Sequence, residues 1–200
     1  DKEVDLSGEW EAVSFRDLIL KYGNIDINEY NTKELLLQKI YDEKLEIDCD
    51  TPLENLGYGN LVDQLYKKVA RPNVVNPIFL TEHPISLSPL ARANDDNPEI
   101  TDRFQLVING AEIINAYSEL VDPQEQERRL EVQASLKDNG DEEAMPMDHD
   151  YISAMEVGMP PISGWGMGID RIVQLLTGSE SIRDVVMFPL MKPIENKENE

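Results

Sequence analysis

The sequence predicts an α+β fold, an antiparallel sheet flanked by helices, and three observations predict it. Residues 1–75 carry apolar side chains at helical spacing behind Ser14 and Thr32, and Pro72 and Pro77 then mark a change to short apolar runs of strand type. Asn109-Gly110 stands between two such runs, and both central positions of a two-residue hairpin turn require positive φ, which Asn and Gly tolerate. After Asp122 helical spacing and capping residues return.

Taken in chain order, Ser14 can cap a short amphipathic helix over FRDLILKY, which places Leu18 and Leu20 among polar residues. Thr32 can cap a second helix within residues 31–45, with Leu35, Leu36 and Ile40 at helical spacing. In Asn60–Val69 the apolar residues Leu61, Leu65 and Val69 recur every fourth residue. Ile78–Thr81 reads as a strand, and RFQLVI, the Asn109-Gly110 turn and AEIINAYSEL as an antiparallel hairpin. Asp122, Pro123 and Glu125 supply an N-cap, a first-turn proline and an acid three residues past the cap, so a helix should run from Asp122 to Lys137. Asp148 or Asp150 opens another helix that Gly158 and Pro160-Pro161 end. The last predicted element is GWGMGIDRIVQLLTG, a strand running into a helix whose expected buried face holds Ile172, Val173 and Leu176.

The 200 residues, with 40% hydrophobic content, suffice for one compact domain with a core. Its expected organisation is a helical, insertion-like region over 1–75, a sheet-bearing core over 76–193 and a polar tail over 194–200. Acidic residues outnumber basic ones 40 to 18, the wrong sign for holding a polyphosphate backbone on this piece alone. The single cysteine, Cys49, forms no intrachain disulfide, and the two histidines without clustered cysteines give no structural zinc pattern, so an intracellular, cytoplasmic setting is expected. No apolar run approaches about 18 residues, which argues against a membrane span. The chain lacks an initiator methionine and opens in a charged stretch, as a fragment of something longer would.

Several residues could carry chemistry. Gly164, Gly166 and Gly168 alternate, so on a strand they present one face of bare backbone, and Asp170-Arg171 follows directly. Such a face either seats a ligand or permits close packing or a bulge. Across the hairpin Gln105 and Glu112 should lie diagonally on one face, where they could share a cation. Strict alternation puts Asn115, Tyr117 and Glu119 on the opposite face, as pocket residues or as the solvated side of an edge strand. For all of them to reach one ligand, the strand must bulge between Glu112 and Asn115. His83 and His149 read as surface or capping residues, and the run DNGDEE as a solvated loop.

The stretches HPISLSPLAR, NAYSELVDPQEQERRLEVQ, GDEEAMPMD, EVGMPP, GWGMGIDR and SIRDVVMFPLMKP together closely resemble lysyl-tRNA synthetases, class II aminoacyl-tRNA ligases. The resemblance is strong over residues 77–193 and looser before them, through WEAVSFRDL and LVDQLY. It implies that residues 76–193 are the C-terminal part of a class II catalytic core, a partial class II fold. GWGMGIDR resembles the third class II signature, in which Arg171 takes the place of the catalytic arginine on the ATP phosphates and Gly168 lies against the adenylate. Asn115, Tyr117 and Glu119 match lysine contacts, with Glu119 the partner of the ammonium group, and Asn115 also matches an ATP contact. Glu112 matches a carboxylate that holds ATP and Mg2+. The family has RFEL where this chain has RFQL, so Gln105 replaces a second metal-binding carboxylate with a neutral amide. The substrates implied are lysine, ATP and, through a full-length homodimeric enzyme, tRNA(Lys).

The first two class II signatures and the anticodon-binding barrel are expected before this segment, so the fragment alone should form no adenylate. Two alternatives remain beside the ligase: a truncated synthetase kept for binding or regulation, and a lysine ligase that modifies an elongation factor.

Overall fold

A computed structural model of the chain describes residues 3–190; the expected polar tail, 194–200, lies outside them. Contacts between Cα atoms divide the chain into two units, Asp1–Gly166 and Met167–Glu200. Among the described residues no helix is long and apolar enough to cross a membrane.

The first unit begins with β1 (Glu11–Ser14) and three helices, α1 (Phe15–Gly23), α2 (Lys33–Asp42) and α3 (Tyr58–Val69). Ser14 Oγ accepts from Asp17 N at 3.0 Å and Thr32 Oγ1 from Leu35 N at 3.3 Å, so both caps act as the sequence predicts. Of the apolar residues assigned to α2, Leu36 and Ile40 are fully buried, but Leu35 is 49% exposed because it turns away from the α2–α3 contact. α3 buries Leu61, Val62 and Leu65. It lies close to the segment after β2 because Gly59 has no side chain: a Cβ there would stand 2.2 Å from the Ser86 carbonyl oxygen.

Four further strands complete a sheet of order β1-β2-β3-β4-β5, with β2 Ile78–Thr81, β3 Arg103–Ile108, β4 Ala111–Ser118 and β5 Ser163–Met167. The hairpin turn is as predicted, with φ of 48° at Asn109 and 69° at Gly110. The sheet is mixed rather than antiparallel throughout, because β1, a strand absent from the sequence reading, runs parallel to β2. Parallel neighbours need a long crossover, and α1–α3 supply it.

Residues paired across a ladder share a face, so the register sorts the side chains. Val13, Leu80, Ile78 and Val107 lie on one face and pack into the core with Phe15, Leu18, Leu61 and Leu65. The helices therefore cover the β1–β2 side of that face, while Gln105 and its neighbours occupy the β3–β4 side. The opposite face carries Phe79 and Phe104, ring centroids 5.8 Å apart edge to face.

α4 (Pro123–Asp138) and α5 (His149–Glu156) follow β4. Asp122 caps α4 by accepting from Gln124 N and Glu125 N, and Asp148 rather than Asp150 caps α5, accepting from Tyr151 N at 2.9 Å. Leu130, Ile152 and Met155 form a second, smaller core between the two helices. α4 also holds the 89–91 segment, since Gln126 Nε2 donates to the Pro89 carbonyl (3.1 Å) and Arg129 Nη1 to that of Ala91 (2.8 Å).

Two loop expectations are corrected. His83 is completely buried: Glu82 adopts a left-handed φ of 55°, and the chain turns the ring inward against Phe15, 5.2 Å between centroids. Asp141 of the DNGDEE run is also fully buried, and its carboxylate accepts from Gly57 N at the start of α3 (2.7 Å) and from Asn60 Nδ2. His149, by contrast, is exposed in the first turn of α5.

In the second unit, α6 (Ile169–Thr177) ends at Gly178 with φ 66°. Its apolar spacing is as predicted, but the expected buried face is not buried, with Val173 37% and Leu176 70% exposed. Among the described residues of this unit, a nine-residue helix followed by one 3-10 turn, Ile182–Asp184, is too little structure to enclose an apolar stripe.

Candidate functional site

The β3–β4 ladder decides which polar groups meet. Val107 pairs with Glu112 and Leu106 with Ile114, so Ile113 is an extra residue on β4 and the register shifts there. This is the predicted bulge between Glu112 and Asn115. Its consequence is a correction to the unbulged alternation: Gln105 faces Asn115 rather than Ile114, and Arg103 faces Tyr117. Arg103, Gln105, Glu112, Asn115 and Tyr117 thus share one face, and Glu119, two residues beyond Tyr117, continues their row.

Arg103 was not among the residues singled out from sequence. Its Nε donates to Asn115 Oδ1 at 2.9 Å, and its Nη1 donates to Ser88 Oγ at 2.9 Å and to the Leu87 carbonyl at 3.4 Å. Its spacing of two from Gln105, on the same strand face, is the signal that could have found it. A cavity of about 120 Å3 opens here, lined by Ser88, Leu90, Arg103, Asn115, Tyr117 and Met145. A larger one, about 630 Å3, opens elsewhere among Arg16, Tyr58, Glu82 and Glu99 and includes none of these strand residues.

Glu119 is tied to the segment before β5 through its backbone. Its backbone N donates to the Ile162 carbonyl at 3.0 Å, and its carboxylate lies over Gly164 of β5, where a Cβ would stand 2.7 Å from Oε1. Burial raises the pKa of the Glu119 carboxyl. Burial likewise raises that of Tyr117, with the Glu119 charge adding to it. Tyr151 of α5 feels the same two groups, after its own burial.

Gln105 is buried at 7% exposure, next to the fully buried His83 ring. The His83 ring nitrogens make no hydrogen bond although Gln105 lies beside the ring, and burial first, then the charge of Arg103, push its pKa down to about 3. His83 is therefore neutral at ordinary pH, which spares this region a second buried cation beside Arg103. Among the described residues no group of three or more His, Cys, Asp or Glu side chains could hold a metal ion. Gly168 and Arg171 belong to the second unit, Gly168 as the N-cap residue of α6 and Arg171 in its first turn. There the space beside Gly168 is taken up by Arg171, whose Cδ would be 3.3 Å from an added Cβ.

The row on this face thus holds two carboxylates, Glu112 and Glu119, two amides, Gln105 and Asn115, the Tyr117 phenol and the Arg103 guanidinium. The family model described as tRNA synthetases class II (D, K and N) matches residues 2–192, and the chain belongs to that family. Within it, the chain is 41% identical over 194 residues to the lysine–tRNA ligase of Helicobacter hepaticus, covering 97% of this chain and 36% of the relative. It is 44% identical over 200 residues to the lysine–tRNA ligase of Thermosipho africanus, covering 100% of this chain and 38% of that protein. The chain thus spans little more than a third of the length of these relatives.

Proposed function

We propose that this chain supplies one wall of the lysine and ATP pocket of a lysine–tRNA ligase, an enzyme that activates lysine with ATP and passes it to tRNA(Lys). The observation that carries this reading is the bulge at Ile113, which turns Glu112, Asn115 and Tyr117 to one face in line with Glu119. A chain that needed only to close a hairpin would gain nothing from it.

In this reading Glu119 holds the lysine ammonium group, a charge-assisted contact that a half-buried carboxylate makes stronger than an exposed one would. Tyr117 and Asn115 flank the amino acid. Glu112, Asn115, Gly168 and Arg171 serve ATP, and Arg171 is the catalytic group, binding the ATP phosphates and spreading charge as the lysine carboxylate attacks the α-phosphate in line and pyrophosphate leaves. Mg2+ typically takes one or two protein carboxylates and fills its octahedron from phosphates and water. A donor set of Glu112 and the Gln105 amide oxygen, which share one face of the β3–β4 ladder, fits that habit. When bound, the ion would neutralise phosphate charge. The full-length protein would act as a homodimer in the cytoplasm.

A second reading, a synthetase-derived module without catalysis, draws on Gln105, which brings no charge and is nearly closed to solvent. Lysine-dependent ATP–pyrophosphate exchange by the full-length protein decides between them: its presence supports the ligase and its absence the module. In the same assay Glu119→Ala should remove lysine binding far more than ATP binding, and equal loss of both would contradict the assignment of Glu119.

A further inference from the structure

Glu119 lies past the end of the ladder that positions its neighbours. The last residue pair between β3 and β4 is Arg103 with Tyr117, so β3, which holds Asn115 and Tyr117 in register, no longer supports residue 119. Support comes instead from the segment 90–92, which runs antiparallel to it with Ala91 opposite Glu119. Arg92 N donates to the Ser118 carbonyl at 2.7 Å and Leu120 N to the Leu90 carbonyl at 3.0 Å, one bond on each side of Glu119.

That segment is not part of a regular strand, and α4 fastens it from its other side. The Leu90 carbonyl goes to Leu120, while the carbonyls of Pro89 and Ala91 accept from Gln126 Nε2 and Arg129 Nη1 of α4. The Arg129 bond is the stronger of these two, because its donor is charged, only 12% exposed, and braced by Glu125 Oε1 on Nε at 2.9 Å. α4 begins at Pro123, shortly after Glu119, so the chain from Glu119 to Arg129 and the bonds through Ala91 close a ring that includes the Glu119 backbone. Arg129 itself does not line the cavity of about 120 Å3, whereas Leu90 and Ala91 do.

We propose that Arg129 is a positioning residue for the amino-acid substrate: from outside the pocket it holds the segment 90–92, and through it the backbone that aims the Glu119 carboxylate. The proposal rests on the reading of Glu119 as the partner of the lysine ammonium group.

The test uses the full-length protein, with lysine and ATP kinetics read by pyrophosphate exchange. Arg129→Met removes the donor and keeps aliphatic bulk. The KM for lysine should rise about tenfold while that for ATP changes by less than about twofold, because the clasp acts on the lysine partner. An arginine that only stabilised α4 would lower the thermal midpoint and leave the ratio of the two KM values unchanged. A double-mutant cycle gives a second readout: in Glu119→Gln, which has no charge left to aim, adding Arg129→Met should cost about twofold or less in kcat/KM for lysine. Should Arg129→Met fail to fold, Gln126→Met carries the test. It cuts the other tether, and it also removes Gln126 Oε1, buried without a partner among the described residues, which offsets the lost bond. Its lysine KM should rise about threefold with the same selectivity over ATP. Absence of exchange in the wild type would remove the ligase reading, and this proposal with it. An active wild type whose variants shift lysine and ATP equally, or in which the Arg129 and Glu119 effects are independent, overturns the role of Arg129 alone.

Discussion

Gly164 and Glu119 occupy space that only one of them can fill: a Cβ on Gly164 would stand 2.7 Å from Glu119 Oε1. Gly164 sits in β5 without a positive φ, so what its missing side chain provides is clearance and not conformational freedom. Gly164→Ala should therefore leave the strand intact and push the carboxylate off its position. In the full-length protein the KM for lysine should rise about tenfold or more, as small displacements at a binding group do, with a smaller change for ATP. Steady-state exchange kinetics check this, and an unchanged lysine KM would remove Glu119 from the lysine site.

Glu119 also sets a pH dependence. Burial raises its folded pKa above the usual value of 4.5. The folded protein thus keeps this proton to higher pH than the unfolded chain, so the associated stability is full below the unfolded pKa and is lost as pH rises through the folded one. Lysine binding runs the other way, because the ammonium needs the ionised carboxylate. Lysine affinity should fall as pH is lowered toward the raised folded pKa of Glu119, more than ATP affinity does. Glu119→Gln should flatten the pH dependence of lysine binding, bind lysine poorly and melt slightly higher at neutral pH. A Gln variant that melts lower would show that the ionised carboxylate stabilises the fold.

Much of this was legible because the signals are local. Ser14, Thr32, Asp122 and Asp148 cap the helices that follow them, and Asn109-Gly110 turns the hairpin, through bonds or dihedrals spanning a few residues. The bulge was legible for a different reason: polar side chains out of phase with one another on a strand ask for one extra residue. What escaped depends on distant partners. β1 has only Ala12 and Val13 as apolar residues, and its extended form comes from pairing with β2 more than sixty residues away. His83 and Asp141 read as loop surface because the groups that bury them, Phe15 and the start of α3, are far along the chain. Arg103 was not singled out because only its register against Asn115 and Tyr117 gives it partners.

Asp141 ties the end of α4 to the start of α3, since its carboxylate accepts from Gly57 N at 2.7 Å, Asn60 Nδ2 at 2.9 Å and Glu143 N at 3.1 Å. Gly57 has no side chain with which to cap α3, so Asp141 does that work from a distance, with its negative charge at the positive end of the helix. Asp141→Ala leaves buried donors without acceptors and should destabilise by about 2–4 kcal/mol. Asp141→Asn keeps one acceptor and should lose about half as much. Urea unfolding measures both, and an alanine variant within about 0.5 kcal/mol of wild type would mean that water replaces the carboxylate there.

The formal net charge of −22 on 200 residues sets two electrostatic effects of salt against each other. Surface ion pairs such as Lys67–Asp63, 2.6 Å apart, weaken as salt rises, but exposed pairs contribute only about 0–1 kcal/mol each. Repulsion among the surplus carboxylates acts over the whole surface, because the screening length is about 30 Å at 0.01 M salt and about 3 Å at 1 M. A compact chain concentrates that charge and an unfolded one spreads it, so screening favours the folded state. Repulsion should win, and the thermal midpoint of this chain should rise between about 0.01 M and about 1 M NaCl, most steeply below about 0.1 M, where the screening length passes through the spacing of surface charges. Midpoints from circular dichroism at matched pH check the sign. A midpoint that falls over that range would mean that ion pairing outweighs the net charge. Potassium chloride should give the same curve, because screening depends on ionic strength and not on the identity of the cation.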